Sequence, residues 1–119
     1  MLPFKRLLSS LTLALGLSLP VLAIAELPDN VVWLDVRTAQ EFADGHVDGA
    51  LNIPHTEVSA QAASALPDKE APIYVYCRSG HRAGLAKASL EALGYTQVLN
   101  IGGLTDAEAL IEQQSESAE

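Results

Sequence analysis

A single cysteine, Cys77, stands in the 119 residues of this chain. One thiol cannot close an internal disulfide, so the fold is not stapled from within. A lone cysteine also argues against thioredoxin-like exchange and against a two-cysteine peroxidase, because both need a second thiol. Metal chemistry lacks its ligands: Cys77 and the scattered His46, His55 and His81 show no ligand spacing, and no cofactor motif is present. Aromatic residues make up only 5% of the chain, and Trp33, Tyr74 and Tyr76 sit in strand-like runs, which suits core packing rather than a stacking platform. Positive charge is scarce too. Seven basic residues face fifteen acidic ones, a net charge of −8, which argues against nucleic acid or an anionic membrane as partner.

Long hydrophobic runs are absent after the first residues. Lys5 and Arg6 precede an apolar stretch from Leu7 to Leu22, followed by Ala23-Ile24-Ala25. That order is the pattern of a cleavable export signal. It predicts cleavage after Ala25, a periplasmic mature chain from Glu26 to Glu119, and no stable membrane association afterwards. An uncleaved anchor is the alternative. Ser9, Ser10, Thr12, Ser18 and Pro20 interrupt the stretch, which is short for spanning, and disfavour it. All fifteen acidic residues lie after Ala25 with five basic ones, leaving −10 on the mature part. Three of those five are Arg37, Arg78 and Arg82.

The mature part reads as one small domain, residues 26–112, with a polar frayed tail over 113–119. Val31–Leu34 is a β-rich run ending at Asp35. Thr38-x-x-Glu41 is a capping box that opens a short helix. Ala50–Ile53 reads as a strand stopped by Pro54. Thr56 is placed to cap a second helix, with Val58, Ala62, Ala65 and Leu66 at helical spacing. Ile73–Tyr76 lacks alternation, as expected of a strand buried on both faces. After Arg82, Ala83, Ala86, Leu90 and Leu93 mark one face of a helix, and Gly94 suits a left-handed cap. Gln97–Ile101 reads as a last strand, Gly102-Gly103 as a turn, and Leu104–Ile111 as a closing helix. Strands alternating with helices predict an α/β domain with a small parallel sheet flanked by helices.

In such sheets ligands bind beyond the carboxyl ends of the strands. Cys77-Arg78-Ser79-Gly80-His81-Arg82 occupies that position. Unpaired N–H groups at the start of the following helix can face an anion, and Gly80 allows the backbone to approach it. Such a cradle lowers a cysteine pKa from about 8.5 into the range of roughly 3.5–7.5. Arg82 can offer two parallel hydrogen bonds to an oxyanion, with Arg78 at the rim. Cys77 is therefore the candidate nucleophile. Four residues separate it from Arg82. Cysteine phosphatases need one more, and the residue at that position here, Ala83, cannot hold a phosphoryl group. Asp35 and Arg37, two apart at a strand end, read as a structural ion pair rather than an acid/base pair. His46 and His55 read as structural or exposed, and His81 as a loop residue with little influence on the thiol.

These residues resemble the rhodanese family. Trp33–Arg37 is similar to its first core strand, Phe42-x-x-x-His46-Val47-x-Gly49-Ala50-x-x-Ile53 to its N-terminal signature, Cys77–Arg82 to its six-residue active loop, and Gly102-Gly103-Leu104 to its late glycine turn. The likeness spans nearly all of the mature chain and is greatest to single-domain periplasmic members. It implies a rhodanese-like α/β fold and a sulfurtransferase that needs no cofactor. A small anionic donor such as thiosulfate would load a sulfane sulfur on Cys77, and cyanide or a thiol would accept it. Arg78, Ser79, Gly80, His81 and Arg82 would hold the donor. Asp48 and Ala83 depart from the common pattern; loss of a hydroxyl at Ala83 bears on donor preference. The alternatives are a non-catalytic sulfur-carrier or protein-binding module, and a phosphatase or arsenate reductase, for which the loop is too short.

Overall fold

The computed structural model describes residues 26–117; the export segment expected over residues 1–25 lies outside them. The elements run β1 (Val32–Asp35), α1 (Ala39–Asp44), β2 (Leu51–Asn52), a 3-10 turn (His55–Glu57), α2 (Val58–Ala65), β3 (Ile73–Cys77), α3 (His81–Ala92), β4 (Val98–Gly103) and α4 (Leu104–Ser117). The four strands form a parallel sheet in the order β2-β1-β3-β4.

Side chains on a strand alternate between faces, and each face here has its own apolar cluster. Leu34, Ile73, Val75 and Cys77 join Val58 and Ala62 of α2 and Ala83, Ala86 and Leu90 of α3 in the larger one. Tyr76 faces the other way, with Val47, Ala107 of α4, and the partly buried Trp33 and Ile111. β3 is buried along its whole length because helices cover both its faces. Tyr95 locks the larger layer: its buried hydroxyl donates its one proton to the Leu66 carbonyl at 2.6 Å, with the Ala62 carbonyl 3.1 Å away. Gly94 has φ +99°, the left-handed conformation expected after a helix.

Four local expectations are corrected. The second strand is only Leu51–Asn52. Thr56 caps nothing; it lies inside the 3-10 turn, and the cap residue of α2 is Glu57, with no side-chain cap bond. Gly102 and Gly103 belong to β4 rather than to a turn, because a register shift between Val75 and Tyr76 lets Tyr76 and Cys77 pair with them. The expected frayed tail is helical through Ser117, since α4 continues past Ile111.

Candidate active site

The site is built where β3 ends and α3 begins. Cys77 is the last residue of β3, with only 1% of its surface exposed. The loop turns at Gly80, whose φ of +106° is costly for any residue with a Cβ. That turn aims backbone N–H groups at the sulfur. Gly80 N–H donates to Cys77 Sγ at 2.9 Å, and Ala83 N–H at 3.4 Å from the first turn of α3. Burial pushes the Cys77 thiol up, but the N–H groups of Ala83, Gly80, Ser79 and Arg82 outweigh it, and the pKa falls below the usual thiol value. The partial positive charge at the N-terminus of α3 acts in the same sense.

Residues from β4 and α4 hold the loop from behind. Asn100 Nδ2 donates to the Gly80 carbonyl at 2.9 Å, and Asn100 Oδ1 accepts from Gly102 N–H at 3.0 Å. Asp106 Oδ2 accepts from Gly103 N–H at 2.8 Å. The backbone at Gly103 runs so close to the loop that an added Cβ would lie 2.2 Å from the Arg78 carbonyl oxygen.

The two loop arginines differ. The Arg78 side chain is 81% exposed at the rim. The fork expected to meet an oxyanion, that of Arg82, is filled by Glu41: Nη1 donates to Oε1 at 2.8 Å and Nη2 to Oε2 at 3.1 Å. Glu41 also accepts from Thr38 N–H at 2.9 Å, closing the capping box of α1. The Arg82 bonds and then the Thr38 N–H pull its carboxyl down to about 2. Sequence reasoning recognised Glu41 only as a helix cap. Its partner lies 41 residues away, and no local spacing signals that contact.

The other candidates fall into place. Ser79 is an exposed loop residue, and His81, expected in the loop, is the exposed first residue of α3. Asp35 is fully buried and pairs with Arg37 through Nε at 3.0 and 3.1 Å and Nη2 at 2.6 Å. Arg37 reaches on to the Gly45 carbonyl at 2.6 Å, so the pair ties the end of β1 to the loop after α1. The structural reading of Asp35 and Arg37 suits this geometry. His46 is also structural: Nδ1 lies 2.7 Å from the Phe42 carbonyl, and the ring stacks on Phe42 at 3.6 Å between centroids. His55 opens the 3-10 turn. No cluster of metal-ligating side chains occurs among the described residues.

Comparison with known proteins meets this geometry. Residues 22–109 match the family model described as a rhodanese-like domain. Thiosulfate sulfurtransferase PspE of Escherichia coli is 46% identical over 96 residues, covering 81% of this chain and 86% of that protein. Protein HIGH ARSENIC CONTENT 1 of Arabidopsis thaliana is 37% identical over 81 residues, covering 60% of this chain and 48% of that protein. Among solved structures, a rhodanese with anions from E. coli superposes with a TM-score of 0.61 at 46% identity, covering 64% of this chain and 89% of that one. The human single-domain sulfurtransferase TSTD1 superposes with a TM-score of 0.56 at 28% identity, covering 67% of this chain and 82% of that one. With a family model matched across most of its length and its thiol at the end of β3, this chain belongs to the rhodanese-like domain family.

Proposed function

We propose that the protein is a thiosulfate sulfurtransferase that works through a persulfide on Cys77. The observation that carries this reading is the N–H cradle around Cys77 Sγ, which favours the thiolate at the carboxyl end of a central parallel strand. Similarity to the E. coli thiosulfate sulfurtransferase over most of both chains supports the choice of sulfur chemistry.

In the first step the Cys77 thiolate attacks the outer, sulfane sulfur of thiosulfate. The donor's S–S bond breaks, its electron pair leaves with sulfite, and a new S–S bond leaves the persulfide anion on Cys77. The same N–H groups that favour the thiolate favour this anion. In the second step cyanide or a thiolate attacks the outer sulfur, and the cysteine thiolate is regenerated. No net oxidation occurs, so no cofactor is required. Arg78 and Arg82 together outweigh Glu41 and leave the mouth positive on an otherwise acidic domain, and Ser79, Gly80 and His81 complete the wall that a small anionic donor meets. Lys5, Arg6, the apolar stretch and Ala23-Ile24-Ala25 support export to the periplasm with removal of residues 1–25.

The test is sulfite release from thiosulfate in the presence of cyanide. The wild type is expected to turn over, and Cys77→Ser is expected to lose all measurable activity. Equal activity in the two proteins would overturn the assignment of Cys77.

A further inference from the structure

The loop presents two cationic groups, but both lie against one carboxylate. Glu41 accepts from both terminal nitrogens of Arg82 and lies 4.0 Å from Nη1 of Arg78. It is held in that place by α1, through the Thr38 N–H and hydroxyl bonds of the capping box. The carboxylate is therefore a fixed part of the mouth, not a mobile surface group that has drifted onto an arginine. An incoming oxyanion meets Arg82 with its fork already filled. A donor that takes hydrogen bonds from Arg82 must displace Glu41, and any anion at the mouth feels its negative charge.

We propose that Glu41 is a specificity-determining residue that sets the charge of the donor the loop accepts, disfavouring a dianion relative to a monoanion. The inference rests on the sulfur-transfer reading above and deepens it. Thiosulfate is a dianion. An alkyl thiosulfonate carries the same transferable sulfur but one negative charge. Its reaction balances in the same way: the Cys77 thiolate takes the outer sulfur, the S–S bond breaks, and a sulfinate leaves with the electron pair. The two donors differ at the mouth by one unit of charge, and Glu41 acts on that difference. Two like unit charges about 4 Å apart, screened as strongly as in bulk water at this solvent-open mouth, repel enough to change relative binding about three- to tenfold.

Glu41→Gln isolates the charge. Glutamine can still accept from Thr38 N–H and close the capping box, so α1 keeps its start. The experiment measures kcat and KM for thiosulfate and for methanethiosulfonate, with cyanide as common acceptor, in the wild type and in Glu41→Gln. The expected result is a rise of about three- to tenfold in the ratio of kcat/KM for thiosulfate to that for methanethiosulfonate, carried mainly by a lower KM for thiosulfate. An unchanged ratio overturns the proposal, including the case in which both donors weaken together because the Arg82 contact only braces the loop. Should Glu41→Gln melt well below the wild type, Glu41→Asp serves as the second variant. It keeps the charge at the mouth, and a wild-type ratio in that variant is then required. A wild type that takes sulfur from neither donor fails differently: it refutes the sulfur-transfer reading itself, and this inference with it.

Discussion

Replacing Gly103 by alanine tests how closely β4 supports the Cys77 loop. The added methyl group would sit 2.2 Å from the Arg78 carbonyl oxygen and 3.0 Å from its carbonyl carbon. Both are backbone atoms, so no side chain can rotate away. The contact must open by about 1 Å, which moves the loop, β4 or both, at a cost of about 2–3 kcal/mol by the usual scale of overpacking. A domain of this size has a total stability of about 5–13 kcal/mol, so Gly103→Ala should still fold. Its melting temperature should fall by roughly 10–20 °C. Gly84→Ala is the internal control. Gly84 lies inside α3, and its added Cβ meets only Asn100 Nδ2 at an ordinary 3.5 Å. Alanine there should stabilise by about 0.5–1 kcal/mol through helix propensity alone. Thermal unfolding followed by circular dichroism reads both variants. A Gly103→Ala protein as stable as the wild type, beside a stabilised Gly84→Ala, would refute the close approach between β4 and the loop.

The pH dependence of Cys77 alkylation should show an inflection below the ordinary thiol value of about 8.5, and urea-unfolded protein should return to that value. With its pKa lower in the folded state, the thiolate contributes stability that is fully present above the unfolded value. That contribution is lost as pH falls through the folded value. Coincident folded and unfolded inflections would contradict the N–H cradle. Asp35→Ala should cost about 3–5 kcal/mol in urea titrations, because it leaves the Arg37 guanidinium buried without its partner. A variant that keeps wild-type stability but loses sulfur transfer would instead give the pair a chemical role.

What the sequence disclosed tracks what is local. The apolar run before Cys77, the glycine in the loop and the polar start of α3 are all neighbours in the chain, and they placed the candidate nucleophile. The Thr38–Glu41 capping box and the left-handed Gly94 were legible for the same reason, since each is decided within a few residues. What escaped was decided across the fold. Gly102-Gly103 carries the composition of a turn, yet pairing with Tyr76 and Cys77 draws it into β4. Glu41 satisfies its local role so well that nothing in its neighbourhood signals a second one with Arg82. Asn100 looks like any polar strand residue until the fold sets its amide against the Gly80 carbonyl. The polar residues from Gln113 suggest fraying, but through Ser117 they extend α4, whose buried anchor, Ala107, lies earlier in the helix.

In the proposed function Cys77 carries the sulfur between donor and acceptor. Intact-protein mass spectrometry after brief exposure to thiosulfate tests it most directly. The wild type is expected to gain one sulfur atom and to lose it to added cyanide, and Cys77→Ser is expected to gain none. A wild-type mass unchanged by thiosulfate, or an equal gain on Cys77→Ser, would contradict it.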